Sequence, residues 1–336
     1  MDFRLSSDQS DLRDAVKAML SREVTSELIR ERYATDGSGE KARADGLWKL
    51  VTDAHWTALG APEEAGGFGL GAVELGLLCE QAGYYLAPIP LWETAALAVP
   101  LLGRALEGGE RATAVTHVGT ITPDAGGRLS GPATLVPEAH VSDLIVVPTA
   151  QGTYVVETSR AQILVHDCTD KTRILSEVTL EGVAAEKVSD VAPSLDLATV
   201  TLAAQTLGSA RRLLDMTVDY VKVREQFDRP IGTFQAVQHK LADVLVAIER
   251  AWSATFYAAM CIDARNPDAA RATCIAKAAT GDASRLAARE ASQCHGGIGY
   301  TWEHDLHLWF RRIFADEPLL GGSDVQRDRL ADLLAL

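Results

Sequence analysis

Hydrophobic residues recur at three- and four-residue steps from the start of the chain. The first series consists of Leu12, Val16, Met19, Leu20, Val24 and Leu28. Residues at this spacing lie on one face of a helix, so the series predicts an opening amphipathic helix. Similar spacing predicts three further helices, over residues 47–58, 73–84 and 92–106. We therefore expect residues 1–110 to form an N-terminal α-helical domain.

The pattern changes between residues 111 and 193. Short runs rich in β-branched residues are separated there by Gly, Pro and Asp, which is typical of strands joined by turns. The runs cover residues 115–118, 144–147, 153–156, 163–165 and 178–180. They predict a small middle β-domain over residues 111–193.

From residue 194 onward the helical spacing returns and is stronger. One apolar seam is formed by Val237, Leu241, Val244, Leu245, Ile248 and Trp252. Such a seam can pack against neighbouring helices in a bundle. The complete pattern predicts a mainly α member of the α+β class, with a C-terminal helical bundle over residues 194–336.

Composition and charge restrict the classes of partner. The chain has 336 residues, with 46 acidic against 32 basic side chains and a net charge of −14. This excess of negative charge argues against nucleic acid or an acidic membrane surface as a partner. The polar N-terminus, the absence of long apolar runs and five cysteines without CxxC spacing are typical of a cytoplasmic protein with reduced thiols.

Two local patterns mimic functional motifs. Gly67, Gly69 and Ala72 fit a dinucleotide fingerprint loosely, but the surrounding helical pattern lacks the strand that this motif requires, so we expect an interhelical loop. Cys294-His295 lies near two more histidines, at 304 and 307, with a spacing that fits no standard zinc site. We therefore predict no metal site.

Two other segments indicate an anion-binding surface. In residues 220–235, Arg224 and Gln226 lie near a turn between two long helices. An arginine there can grip a diphosphate through its fork of donors, and an aromatic residue beside it can cover an adenine. In residues 293–301, the adjacent Gly296 and Gly297 allow backbone N–H groups to approach a ligand closely.

These segments, together with the 62–69 loop and the opening helix, resemble the acyl-CoA dehydrogenase family. The resemblance implies a helical N-domain, a middle β-domain and a C-terminal four-helix bundle, with FAD as the cofactor. In that family the matching residues reach across a subunit interface to the diphosphate and adenosine of an FAD whose ring lies in the neighbouring subunit. The residues that match are Arg224, Gln226, Phe227, Gln293, Cys294, His295, Gly296 and Gly297.

The sequence departs from the family where the catalytic base should be. The family base is a glutamate that removes the α-proton of an acyl-CoA while hydride passes to the flavin. Its two known positions correspond to Gly321 and Ala198, and neither residue can accept a proton. The loop and the tryptophan-containing strand that line the flavin ring in the family also have no recognisable counterpart. The comparison thus predicts no catalytic residue in this chain.

The resemblance therefore implies a non-catalytic subunit of a heteromeric acyl-CoA dehydrogenase, most simply an α2β2 heterotetramer. Its partners would be a catalytic acyl-CoA dehydrogenase subunit, the acyl-CoA substrate and an electron-transfer acceptor. Similar short subunits without the glutamate occur in actinobacterial enzymes that act on CoA thioesters of steroid side chains.

Two alternatives remain open at this point. A self-sufficient homo-oligomeric enzyme could use a relocated base such as Asp316, Glu317 or Asp324. The chain could instead be a flavin-free structural module on the same fold.

Overall fold

The computed structural model describes residues 3–34 and 40–335. Its α-helices are α1 (Ser7–Glu23), α2 (Ser26–Tyr33), α3 (Glu40–Asp53), α4 (Ala72–Tyr85), α5 (Val99–Leu102), α6 (Asp196–Val223), α7 (Gln235–Asp263), α8 (Ala269–His295), α9 (Leu306–Asp316) and α10 (Ser323–Leu333). Its strands are β1 (Ala112–Ala114), β2 (Thr122–Pro123), β3 (Arg128–Pro137), β4 (Leu144–Thr149), β5 (Gly152–Glu157), β6 (Gln162–Val165), β7 (Leu175–Ala184), β8 (Glu186–Ser189), β9 (Glu225–Gln226) and β10 (Arg229–Pro230). The predicted fold class, with N-terminal helices, a small β region and C-terminal helices, is confirmed.

Helix α1 begins where a capping box satisfies its first donors. The backbone N–H of Gln9 donates to the Ser6 hydroxyl at 3.1 Å, and the backbone N–H of Ser6 donates to the Gln9 side chain at 3.0 Å. Val16 and Leu20, from the apolar series, are fully buried.

The predicted helix over residues 92–106 is shorter and irregular. It consists of a π-helical segment, Glu93–Ala98, followed by the single turn of α5. Gly103 follows α5 with φ 69°, a left-handed conformation that ends the helix and favours glycine. The hydrophobic pattern continues beyond this point, and for that reason the helix was predicted too long.

The described chain forms two compact units. The β unit contains Glu27–Leu75 and Pro88–Ala198, and the bundle unit contains residues 3–26, 76–87 and 199–335. The boundaries predicted near residues 110 and 193 remain a prediction.

Two four-stranded sheets form the centre of the β unit. One has the order β1-β4-β5-β8 and the other β2-β3-β7-β6. Strand β1 pairs with β4 in parallel, and the other neighbours in both sheets are antiparallel. Apolar side chains from both sheets, including Ile145, Val156 and Val178, share one core.

The first strand of this unit was predicted at the wrong place. The β-branched run 115–118 is not a strand, and β1 is instead the preceding segment Ala112–Ala114. Residues of β1 are small and fully buried, so their run lacks the strongly β-branched composition on which the prediction depended.

The bundle unit is built from long helices that approach closely where glycine occurs. A Cβ atom added to Gly208 on α6 would lie 1.9 Å from the Glu80 carbonyl oxygen on α4, and one added to Gly83 would lie 1.9 Å from that of Gln205. In the predicted seam of α7, Val244 and Ile248 are buried, whereas Leu245 is 46% exposed. The seam is therefore narrower than the hydrophobic pattern indicated.

None of the helices in the described residues is long and apolar enough to cross a bilayer.

Candidate cofactor half-site

A tight hairpin follows the end of α6. Strands β9 and β10 pair antiparallel, and Phe227 and Asp228 between them have φ values of 56° and 62°. Two left-handed residues in a two-residue loop are the mark of a type I′ turn, a conformation that costs energy for a bulky side chain. The Phe227 side chain is nevertheless 85% exposed. The hairpin thus presents an aromatic ring to solvent at its tip.

Contacts at the base of the hairpin fix it against the end of α6. The backbone N–H of Ile231 donates to the Arg224 carbonyl at 2.8 Å, and the Arg229 guanidinium lies 4.1 Å from the centre of the Phe234 ring. Arg224 and Gln226 are themselves exposed. A guanidinium in this position is available for an anionic ligand.

The two adjacent glycines, Gly296 and Gly297, follow the end of helix α8. Gly296 has φ 63° and ψ −144°, a backbone conformation open to glycine and almost no other residue. Gly297 has an ordinary φ, and a Cβ atom added there would meet nothing within 4 Å. This chain therefore has no packing reason of its own for glycine at 297, whereas a ligand or a partner chain approaching the backbone would supply one.

Stacked rings bring these two segments together. Tyr220, in the last turn of α6, and His295, the last residue of α8, have ring centroids 4.1 Å apart and an interplanar angle of 19°. His304 meets the His295 ring edge-on at 4.9 Å. Arg224 follows Tyr220 by one helical turn, and Gly296 follows His295 directly, so the predicted residues lie at one end of the bundle unit.

Sequence reasoning did not assign Tyr220 or His304 a role in this site. The four-residue step from Tyr220 to Arg224 places both on one helical face, and this is the signal that was available. The contact of Tyr220 with His295 depends on how α6 and α8 pack, so it has no local signature.

The side chains of His295 and Cys294 point into the protein to different extents. His295 is only 5% exposed, and its Nδ1 lies 2.9 Å from the Ala291 carbonyl oxygen, the geometry of an Nδ1–H donor. Cys294 is half-buried, and burial raises the pKa of its thiol. Contact of these two residues with a cofactor stays a prediction, as it does for Arg224 and Gln293, whose side chains are exposed.

Gly321 has a conformation that no glutamate adopts easily. Its φ is 88°, and a Cβ atom there would lie 3.0 Å from both the Gln326 Nε2 and the Val325 Cγ1 atoms. The Gln326 amide is held in place because it donates to the Leu320 carbonyl at 2.7 Å. The glycine is therefore part of the local backbone geometry of this turn.

The second base position, Ala198, is packed under large side chains. Its carbonyl accepts a hydrogen bond from Trp92 Nε1 at 3.2 Å, and the guanidinium of Arg173 lies 4.9 Å from the Trp92 ring centre. Arg173 Nε also lies 2.7 Å from a carboxylate oxygen of Glu93. All four residues are nearly or fully buried.

The three acidic residues that could serve as a relocated base differ in their burial and their partners. Glu317 accepts hydrogen bonds from Arg285 and, at 3.0 Å, from the Ser323 backbone N–H at the start of α10. Asp316 is fully buried, with Arg312 Nε at 3.9 Å, and the Asp324 side chain is 97% exposed beside Arg327. Glu317 therefore holds the start of α10 through its hydrogen bonds.

The histidines and Cys294 near this site do not form a metal cluster. Over the described side chains, residues 3–34 and 45–335, no group of three His, Cys, Asp or Glu has an arrangement that could hold a metal ion.

Comparisons with known proteins agree with this architecture. Residues 6–105 match the family described as "Acyl-CoA dehydrogenase, N-terminal domain", and residues 190–335 match "Acyl-CoA dehydrogenase, C-terminal domain". The acyl-CoA dehydrogenase IpdE2 of Mycobacterium tuberculosis is 31% identical over 314 residues, which are 92% of this chain and 92% of the relative. The chain belongs to the acyl-CoA dehydrogenase family.

Two solved structures, each named for two components, are similar to the whole chain. The Tcur3481-Tcur3483 steroid enzyme has a TM-score of 0.87 and 27% identity, with 98% of each chain covered. The ChsE4-ChsE5 complex from Mycobacterium tuberculosis has the same TM-score and identity, with 100% of this chain and 99% of the other covered. The resemblance to actinobacterial heteromeric members of the family is confirmed.

FAD is the cofactor of this acyl-CoA dehydrogenase, as the resemblance predicted. The residues at this end of the bundle unit fit its diphosphate half, because Arg224 is exposed and a Cβ atom at Gly297 would meet none of the described residues within 4 Å. We call Arg224, Gln226, Phe227, Gln293 and the Gly296-Gly297 pair the half-site.

Proposed function

We propose that this acyl-CoA dehydrogenase chain is the non-catalytic subunit of a heteromeric enzyme and contributes the half-site to FAD bound mainly by a catalytic partner subunit. The observation that carries the proposal is an asymmetry within the chain. The half-site residues are open to solvent on two segments that the Tyr220–His295 contact joins, whereas both family positions for the base carry residues that cannot accept a proton.

The surroundings of Ala198 support the same conclusion. Trp92 Nε1 donates to the Ala198 carbonyl, the guanidinium of Arg173 lies 4.9 Å from the Trp92 ring centre, and Arg173 pairs with Glu93. All four residues are nearly or fully buried, so a substrate at Ala198 would require this core to open. A base on the partner subunit avoids that rearrangement.

Within the complex the chain's own residues bind and orient. Arg224 would donate to the diphosphate, the exposed Phe227 ring would cover an adenine face, and the backbone at Gly296 and Gly297 would approach the cofactor closely. FAD itself, when bound, supplies the hydride acceptor for α,β-desaturation. The α-proton would be removed by a residue of the partner subunit.

The substrate class that we propose is a CoA thioester derived from a steroid. The support is the 27% identity to a solved assembly described as a steroid acyl-CoA dehydrogenase, at coverage of 98% of both chains. The likeness of the chain to two assemblies, each named for two components, supports a partner of the same family and an α2β2 heterotetramer. An electron-transfer acceptor and a cytoplasmic location complete the proposal.

A self-sufficient enzyme is the competing function, and the observations on Glu317 disfavour it. A general base needs a carboxylate that can reach the substrate, whereas Glu317 is held by Arg285 and by the first turn of α10. A flavin-free structural module would leave the solvent-facing Arg224 and the glycine at 297 without a purpose.

The test is the visible absorption spectrum of this chain purified alone and after co-expression with a candidate catalytic subunit. We expect a colourless chain alone and oxidised-flavin absorbance in the complex at about one FAD per pair of chains. Arg224→Ala should weaken FAD binding by the complex about 10- to 150-fold, the range for losing hydrogen bonds to a charged group. The matched control is Arg250→Ala, which replaces an exposed arginine on α7, outside the half-site.

Two results would contradict the proposal. A chain that is yellow by itself and is bleached by an acyl-CoA has a complete active site. An FAD affinity of the complex that Arg224→Ala leaves unchanged would show that the half-site does not bind FAD.

A further inference from the structure

The three rings of Tyr220, His295 and His304 form a stack beneath the half-site, which we call the ring stack. Tyr220 and His295 are nearly parallel at 4.1 Å, His304 meets His295 edge-on at 4.9 Å, and Tyr220 and His304 are 6.1 Å apart. The three residues come from α6, from α8 and from the turn before α9. The ring stack therefore joins the ends of α6 and α8.

His295 occupies the centre of the ring stack and is held as a neutral ring. Its Nδ1 is hydrogen-bonded to the Ala291 carbonyl, and its Nε2 is buried with no hydrogen-bond partner among the described residues. A second proton would have to be placed on Nε2, where a buried positive charge would have no acceptor. Protonation is consequently incompatible with this arrangement of the ring.

The groups that face His295 do not offset such a charge. Tyr220 faces it from α6 and His304 from the turn before α9, and neither is an acid. Gly299, which packs against the His295 Cβ atom, and Leu306, which packs against Gly299, are uncharged. His304 accepts a hydrogen bond from the Leu306 backbone N–H through Nδ1, so it can itself take up a proton only by giving up that bond.

We propose that the ring stack is a positioning device that ties FAD retention to pH. With His295 neutral, the stack holds the hairpin after α6 against the glycine turn after α8. With His295 protonated, the stack separates and the half-site loses its geometry. This inference rests on the proposed function, because it concerns the same half-site.

The direction of the pH effect follows from the environment of the ring. Burial lowers the pKa of His295 below its ordinary value of 6.5, the hydrogen bond to Ala291 opposes this shift, and the charge of His304 adds to it. The stabilisation is complete above pH 6.5 and is lost as the pH falls from there towards the lower pKa of the folded state. Over that interval FAD affinity can fall by at most about tenfold per pH unit for one titrating group.

The experiment measures FAD retained by the co-purified complex between about pH 8 and pH 5, the range in which histidines titrate. The readout is flavin absorbance of the protein fraction after gel filtration at each pH. We expect the wild-type complex to keep FAD above pH 6.5 and to lose it progressively below. His295→Phe keeps an aromatic ring without a titrating nitrogen, so its retention should depend much less on pH.

Tyr220 provides a matched pair of variants for the positioning role. Tyr220→Phe preserves the stacked ring and should retain FAD like the wild type, whereas Tyr220→Leu removes the ring and should lower retention at every pH. This rescue by the conservative variant distinguishes stacking from a general need for a residue at 220.

Several outcomes would overturn the inference. The pH profile of His295→Phe could equal that of the wild type, or Tyr220→Leu could retain FAD as well as Tyr220→Phe. If His295→Phe does not assemble, the histidine NMR titration of the wild-type chain decides the matter, because a His295 signal that titrates at 6.5 without line broadening would show a ring that protonates freely. Failure of the proposed function itself has a different signature, namely unchanged FAD affinity of Arg224→Ala at pH 8.

Discussion

Replacing Gly321 tests whether the backbone of this turn requires glycine or would accept a glutamate at the family position of the base. The residue sits in the turn between α9 and α10 with φ 88°, and the space for a Cβ is limited by the Val325 Cγ1 and Gln326 Nε2 atoms, both at 3.0 Å. We expect Gly321→Ala to destabilise the chain and Gly321→Glu to destabilise it further without creating activity.

The magnitude comes from three contributions. A left-handed conformation costs a residue with a Cβ about 1–2 kcal/mol. The close contacts add about 1 kcal/mol, because the buried Gln326 amide is fixed by its bond to Leu320 while the exposed Val325 can shift. Alanine also lowers the conformational entropy of the unfolded chain, which stabilises the folded state by roughly 0.5 kcal/mol. Gly321→Ala should therefore lower the free energy of unfolding by about 2 kcal/mol.

Denaturant unfolding followed by tryptophan fluorescence measures this change, with Gly297→Ala as the matched control. Gly297 also lies in a turn of the bundle unit, but its φ is ordinary and nothing lies within 4 Å of the Cβ position. Its free energy of unfolding should change by less than about 0.5 kcal/mol, as for a surface substitution.

Activity provides the second readout. Gly321→Glu in the chain expressed alone and supplied with FAD should give no acyl-CoA-dependent flavin bleaching, because a carboxylate alone does not supply the ring pocket. Equal stabilities of Gly321→Ala and the wild type would refute the backbone argument, and bleaching by Gly321→Glu alone would refute the assignment of catalysis to the partner.

Two further predictions concern groups near the same end of the chain. Glu317→Gln should leave turnover of the complex, measured by steady-state kinetics, within about twofold of the wild type. Because charged hydrogen bonds to Arg285 and Ser323 are lost, the free energy of unfolding, measured by denaturant unfolding, should fall by about 1–2 kcal/mol. Loss of turnover with unchanged FAD content would instead favour the self-sufficient enzyme. The thiol of Cys294 should react slowly with an alkylating reagent near neutral pH, because burial raises its pKa and lowers the thiolate fraction, and its rate should rise with pH and on unfolding; modification of native Cys294 as fast as that of a free thiol, read by mass spectrometry, would contradict this.

Much of the fold could be predicted because the hydrophobic spacing of each segment matches its secondary structure. Helix α1 and the strand β4 are examples, since their patterns depend only on which side chains one face must bury. The prediction failed where local pattern and backbone geometry disagree, as at Gly103, where a left-handed residue ends α5 although apolar residues continue. It also failed at β1, whose small residues carry little strand preference.

The half-site shows the same division. Arg224 and the Gly296-Gly297 pair could be predicted as a diphosphate site from residue type and order, because a guanidinium and an open backbone suit a diphosphate. The sequence by itself therefore determined the family, the cofactor and the absence of a glutamate at 198 and 321. Only the tertiary structure decided that Tyr220 stacks on His295 some 75 residues away, that His295 is buried, and that Trp92 donates to the Ala198 carbonyl. These contacts depend on how separate helices pack, and packing is a property of shape and distance that no local pattern of residues records.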